Sequence, residues 1–243
     1  MPDPQRLAYW LLKDINKVIR EYDMIRDGDD VCVALSGGKD SLSLLRLLDW
    51  RRHMVPQRYT LSAIHIVGDG RGPEIPVHQP LLNWLNANGY QYAVEPMILP
   101  EGEALPLKCQ RCTRTRRRTL FEIAQQMNCN VIAFGHHADD LAQTTLLNLL
   151  FGARTETMAP RRDYFDGQIR LIRPLAYTRE KSIRRFSRAN PDFPPPPPEC
   201  PQSDHTRRRL ADKLLQEAET WAPNARKNLL RAGLRGNTIW SKK

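Results

Sequence analysis

The chain has 243 residues, 41% hydrophobic and 26% charged, an ordinary globular composition that excludes global disorder and suits one large or two small domains. With 37 Lys and Arg against 27 Asp and Glu, the formal charge is +10, which calls for an anionic partner, nucleic acid ahead of a membrane surface. No apolar run approaches the ~18–20 residues of a membrane span, and Met1-Pro2-Asp3-Pro4 lacks a signal peptide's apolar core. The cysteine count of 5 is odd, so a cytoplasmic protein with reduced or metal-bound thiols is expected rather than a secreted disulfide scaffold.

Leu7, Leu11, Ile15, Val18 and Ile19 recur at helical spacing among Arg6, Lys13, Lys17 and Arg20, so residues 6–22 read as a basic amphipathic helix. A short apolar run, residues 31–35, ends at Ser36-Gly37-Gly38 and leads into a helix over 42–50. The alternation continues: strand 59–67, helix 77–88, strand 90–95, helix 113–127, strand 131–134 and helix 139–150. Strands separated by helices predict an α/β fold, an open parallel sheet with helices on both faces. Beyond residue 155 the pattern changes. Residues 169–175 read as one edge strand and 179–189 as a basic helix. The run Pro194–Pro198 reads as a stiff polyproline II connector, residues 204–220 as a helix, and 221–243 as a basic tail without acids. The expected organisation is an N-terminal helix (1–25), a nucleotide-binding domain (26–155) and a basic, largely helical C-terminal region (156–243).

The string Ser36-Gly37-Gly38-Lys39-Asp40-Ser41 stands where a strand ends and a helix begins. Glycines there let backbone N–H groups approach a phosphate, and the helix N-terminus adds donors and a favourable dipole. It is not a Walker A loop, because Lys39 is followed by Asp40 rather than Ser or Thr. Asp40, in the first helical turn, can hold Mg2+ or fix the loop. A second motif, Gly135-His136-His137-Ala138-Asp139-Asp140, follows another strand, so Asp140 can position Mg2+ or an activated substrate. Alone, Asp139 and Asp140 read equally well as an N-cap and a first-turn charge.

Cys109-Gln110-Arg111-Cys112 is a CxxC pair placed before a helix, and Cys200 follows the proline run. Three readings stay open: a zinc site completed by His205, a redox pair, or three ligands of a [4Fe–4S] cluster with one open iron. Cys32, in a strand, and Cys129, after a helix, read as core residues. Lys108, Arg111, Arg114, Arg116, Arg117 and Arg118 crowd around the pair without an acid between them, which favours an anionic partner over a solvated face.

The phosphate loop resembles that of the PP-loop ATPases. Together with the CxxC, the Gly-His-His-x-Asp-Asp string and Arg173-Pro174-Leu175-Ala176-Tyr177, it makes residues 5–232 resemble the tRNA 2-thiocytidine synthetase family. The resemblance implies a Rossmann-like PP-loop fold and ATP held by Ser36–Ser41, with Gly135 close by. Adenine is expected on the backbone of His65-Ile66-Val67, near Asp69. Asp40, Asp140 and Arg116 are the implied catalytic residues, Arg116 handling adenylate or phosphate. Cys109, Cys112 and Cys200 are the implied ligands of the [4Fe–4S] cluster, with Mg2+ as a further cofactor. The implied partners are tRNA and a sulfide donor such as a cysteine desulfurase, with no membrane and a homodimer as the candidate assembly. Pro197 stands where the family usually has a further cysteine, and Cys200-Pro201-Gln202-Ser203 replaces its Cys-Gly-Ser-Gln. Two other readings remain: lysidine-type amine transfer, which needs no cysteine cluster, and a zinc-stabilised nucleic-acid-binding module without enzymatic activity.

Overall fold

The computed structural model describes residues 3–68, 76–99, 101–102, 104–198 and 207–240, with side chains up to 237. The elements run α1 (Pro4–Glu21), β1 (Asp29–Ala34), α2 (Lys39–Arg52), β2 (Tyr59–Val67), α3 (Gln79–Ala87), β3 (Gln91–Pro96) and α4 (Cys109–Gln126). They continue with β4 (Val131–Ala133), α5 (Ala138–Gly152), β5 (Arg161–Tyr164), β6 (Ile169–Ile172), α6 (Glu180–Arg188), α7 (Arg207–Trp221) and α8 (Ala225–Trp240). One six-stranded sheet has the order β3-β2-β1-β4-β6-β5, parallel throughout except for the β5–β6 pair.

The side-chain period of two builds the core on both faces of the sheet. Val31, Val33, Leu61, Ala63, Val131 and Ala133 face one layer, which α1, α2, α3 and α6 complete through residues such as Ile15, Leu45, Leu85 and Phe186. The alternate residues Cys32, Ile64, Ile66 and Ile132 face a second layer, completed by Leu120, Ile123 and Ala124 of α4. Strands buried on both faces are the reason β1, β2 and β4 read as apolar runs rather than as alternating ones.

Two expectations change. Residues 169–175 do not form the sheet edge: β6 lies between β4 and the antiparallel β5, and the strand stops at Ile172. The CxxC pair does not precede its helix; Cys109 and Cys112 form the first turn of α4. The basic C-terminal region is helical, as expected, and α8 packs on α5 so closely that a Cβ at Gly233 would collide with Thr145 and Thr157.

Candidate active site

The chain leaves β1 to enter α2, and leaves β4, on the other side of β1 from β2, to enter α5. Successive connections diverge between β1 and β4, and such a switch point at the carboxyl ends of the strands is where open α/β sheets bind ligands. Both sequence motifs flank it.

The phosphate loop is folded around two hydroxyls. Ser36 N–H donates to Ser41 Oγ (3.2 Å), Gly38 N–H donates to Ser36 Oγ (3.3 Å), and Ser41 Oγ–H donates to the Gly38 carbonyl (3.0 Å). Gly37 takes φ +82°, a left-handed turn that glycine adopts without steric cost. Gly38 caps α2 without a side-chain hydrogen bond, which leaves the helix N-terminus open to an anion. His65, buried on β2, steadies the loop from behind by donating Nδ1–H to the Leu35 carbonyl (2.7 Å). Burial lowers its pKa against the opposing hydrogen bond to Leu35, with Arg116 and His78 adding repulsion.

The second motif lies directly on the first. A Cβ at Gly135 would stand 3.1 Å from the Asp40 carbonyl carbon and 3.1 Å from Ser41 N, so only glycine lets β4 end against the first turn of α2. His137 then caps α5: its Nδ1 accepts from Asp140 N–H (3.4 Å), and Asp140 Oδ2 accepts from His137 N–H (3.0 Å). The accepting Nδ1 leaves the ring proton on Nε2, 3.5 Å from Asp140 Oδ2 and 3.9 Å from Asp40 Oδ1. Asp40, His137 and Asp140 therefore converge.

Lys39 Nζ lies 3.0 Å from Asp40 Oδ2 and 3.0 Å from Glu180 Oε1. Burial opposes its charge, but Asp40 and Glu180 outweigh burial and raise its pKa. Asp40 Oδ1 is buried and makes no hydrogen bond among the described residues. An orphaned carboxylate oxygen beside a phosphate loop fits Mg2+, which takes one or two carboxylates and completes its shell with substrate phosphates and water.

The two aspartates of the motif have different surroundings. Asp139 is 5% exposed and accepts from Glu180 N–H (2.7 Å) and Arg179 Nε (3.2 Å), with Arg226 Nε at 3.7 Å. It ties α6 and α8 to α5, a structural role that the sequence did not separate from that of Asp140. His136 stacks on Phe134; burial, with repulsion from Arg173, lowers it to about 4. Glu180 is a further site residue missed from sequence, since only tertiary packing brings α6 to Lys39.

Arg116 reaches the end of β2, donating to the carbonyls of Ile66 (3.3 Å) and Gly68. It stands one turn beyond Cys112, which with Cys109 shares one helix face at the start of α4. Two cysteines at i and i+3 on one helix turn suit two ligands of a metal cluster. The third expected ligand, Cys200, lies outside the described residues, as do His205 and Asp69. Among the described residues no three His, Cys, Asp or Glu side chains gather as a metal site. Cys32 and Cys129 sit beneath α4. Their mutual hydrogen bond, helped by Ser62 and opposed by burial, lowers Cys129 to about 7, while the same contact and burial push Cys32 up.

The proline run packs against the loop rather than standing clear of it. Asp192 Oδ2 accepts from Arg46 (2.6 Å) and from Trp84 Nε1 (3.1 Å), and Phe193 packs edge-on against Trp84. The Pro195 carbonyl lies 2.8 Å from His78 Nε2. Pro197 follows so closely that a Cβ at Gly37 would be 3.1 Å from its Cδ. Beside the same site, Lys181, Arg184, Arg185 and Arg188 of α6 line a cleft of about 760 Å³ with Arg226. Among the described residues no helix is long and apolar enough to cross a membrane.

A glycine-built phosphate loop at the switch point of a mostly parallel sheet, met by a second acidic loop, defines a PP-loop nucleotide-binding protein. A PP-loop domain family model matches residues 11–193. The tRNA-cytidine(32) 2-sulfurtransferase of Geotalea daltonii is 39% identical over 225 residues, covering 90% of this chain and 88% of its own. That of Geobacter sulfurreducens is 36% identical over 226 residues, covering 90% and 86%. The chain belongs to the PP-loop domain family and, within it, to the tRNA-cytidine(32) 2-sulfurtransferases. Its fold is similar to that of the U34-tRNA thiolase NcsA from Methanococcus maripaludis with its [4Fe–4S] cluster. That match has a TM-score of 0.73 and 21% identity, covering 94% of this chain and 79% of that one.

Proposed function

We propose that this protein is an ATP-dependent tRNA sulfurtransferase that replaces the C2 oxygen of a cytidine, at position 32 as in the relatives' names, with sulfur. The observation that carries the reading is the contact of the phosphate loop with the acidic motif at Gly135, with the phosphate loop one strand away from the β2 end that Arg116 holds.

The phosphate loop and the N-terminus of α2 bind the polyphosphate through backbone N–H groups, with Lys39 adding charge. Asp40 and Asp140 would hold Mg2+, which neutralises the polyphosphate. The cytidine C2 oxygen attacks the α-phosphorus and pyrophosphate leaves. Sulfide then attacks C2, the carbon–oxygen bond breaks, and AMP departs. Oxygen is a poor leaving group until it is adenylated, so the two halves share one pocket from which water is excluded. Cys109, Cys112 and Cys200 would hold a [4Fe–4S] cluster, which would supply a place for sulfide to bind. Arg116 orients the end of β2, where the nucleoside of ATP is expected at His65 and Val67. The basic cleft along α6 opens beside Glu180, Lys39's partner, and receives the RNA backbone.

The reading places the protein in the cytoplasm, with a sulfide donor of the cysteine desulfurase kind and a homodimer as its expected assembly. The proposed domains are an N-terminal helix (1–25), a nucleotide-binding domain (26–155) and a basic region (156–243) that would complete the cluster site and the RNA surface. Anaerobic purification tests the reading directly. Wild-type protein is brown with absorbance near ~400 nm, and Cys109→Ala loses both that absorbance and tRNA thiolation. A thiolating Cys109→Ala protein without a cluster contradicts the cluster's role.

A further inference from the structure

Only one stripe of α4 is used by the site. Cys112, Arg116, Thr119, Leu120 and Ile123 face the sheet, whereas Arg114, Arg117, Arg118 and Phe121 follow each other at i, i+3, i+4 and i+7 along another face. Between that face and the β5–β6 hairpin lies a groove of about 760 Å³. Its aromatic side is a cluster: Phe121 packs on Tyr164 (5.1 Å between centroids) and edge-on against Phe165 (5.7 Å). Its rim is mainly cationic: Arg114 and Arg117 are exposed, Arg162 is held over the Tyr164 ring, and Arg118 pairs with Glu122 of the same groove (2.8 Å).

Two features mark this groove as more than a gap in packing. Phe165 is 57% exposed, although aromatic rings normally bury their surface. It also sits at φ +53°, a left-handed turn position that suits Gly, Asn or Asp and strains a bulky side chain. An exposed ring kept in an unfavourable conformation points to a ligand.

We infer that the groove between α4 and the β5–β6 hairpin is a second RNA subsite. In it an unstacked base lies on Phe165 and Phe121 while neighbouring phosphates meet Arg114 and Arg117. Aromatic platforms flanked by arginines are the general means of holding single-stranded RNA. A second copy of this chain suits the groove less well, because a two-fold contact would set arginine rim against arginine rim. The inference rests on tRNA being the substrate.

The test measures tRNA affinity of the anaerobically purified holoprotein by fluorescence anisotropy, with melting temperature, oligomeric state and ATP binding measured on the same samples. Phe165→Asn removes the ring but suits the left-handed turn, so it should melt no lower than wild type and bind ATP unchanged. Its tRNA affinity should fall about 5- to 30-fold, roughly 1–2 kcal/mol, the loss of one stacked base. Phe165→Tyr keeps the ring and should keep the affinity. Arg117→Gln should flatten the salt dependence of binding by about 0.7 in the slope of log affinity against log salt. Wild-type affinity in Phe165→Asn overturns the subsite alone, and so does an affinity loss that tracks a change of oligomeric state, which assigns the groove to a second copy. A wild-type protein that binds no tRNA overturns the functional reading and the subsite with it.

Discussion

Gly135→Ala is the smallest change that separates the two halves of the nucleotide site. The added Cβ would lie 3.1 Å from the Asp40 carbonyl carbon and from Ser41 N, and 3.2 Å from the Asp40 oxygen, whereas ordinary contact begins at 3.4 Å. All three neighbours are backbone atoms, and they belong to the first turn of α2, where no side chain can swing aside. The loop must therefore move by about 0.3 Å, and overpacking of this kind costs about 1–2 kcal/mol. In a chain of this size that corresponds to a melting temperature about 2–8 °C lower. The same shift displaces the N–H groups that face the polyphosphate. A misplacement of ~1 Å costs about 100-fold in rate, so on a logarithmic scale about 0.3 Å costs roughly 4-fold. Thermal melts and ATP-dependent tRNA thiolation under single-turnover conditions check both numbers. A Gly135→Ala protein with wild-type melting and a wild-type ATP dependence would show that the two loops do not meet as described.

Asp139 and Asp140 are separated by complementary variants. Asp139→Asn removes the buried charge that holds Glu180 N–H, Arg179 and Arg226, so it should cost about 2–3 kcal/mol of stability, read as a lower melting temperature. Asp140→Asn keeps a capping oxygen for His137 N–H, so it should melt close to wild type yet lose at least about 100-fold in thiolation rate. The acid limb of stability should have two parts. His136, lowered to about 4 by burial and Arg173, stays neutral in the fold while the unfolded chain takes up a proton near ~6.5, so stability falls as pH drops from about 6.5 to 4. For Glu180, burial works upward, but Arg184 and Lys39 prevail and hold it at about 2. Its contribution is complete above about 4.5 and is lost as pH falls towards 2. Melting temperature against pH for His136→Phe and Glu180→Gln should flatten the upper and the lower part respectively; an unchanged profile in either variant contradicts the assignment.

Much of the nucleotide half was legible in the sequence because local signals agree with the fold. Strand 59–67 emerged with the expected ends, since its apolar run is buried on both faces and broken sharply on either side. β5 was missed because it is Arg161-Arg162-Asp163-Tyr164: an edge strand protects itself with charge, and here Arg161 pairs with Asp163 (2.8 Å) and Asp23 (3.1 Å). The Asp166-Gly167 turn was a hairpin signal, and it would have moved residues 169–172 away from the edge. The start of α4 was obscured because Lys108 caps it without a side-chain bond, so no Ser, Thr, Asp or Asn marked the boundary. In the tail, Gly233 and Gly236 are the points where α8 meets α5 and Thr155, contacts that no local signal announces. The candidate site divides the same way. Gly135, Asp140 and the phosphate loop follow from contiguous motifs, whereas the Lys39–Glu180 bridge and the Asp139 anchor join residues far apart in the chain.

The central claim is chemical: the protein exchanges the C2 oxygen of a tRNA cytidine for sulfur at the expense of ATP. Mass-spectrometric nucleoside analysis of tRNA incubated anaerobically with the purified protein, ATP, Mg2+ and sulfide measures this directly. The account predicts 2-thiocytidine and one AMP per thionucleoside, both absent when ATP is omitted. Cytidine left unchanged by a cluster-loaded, ATP-binding protein would contradict it.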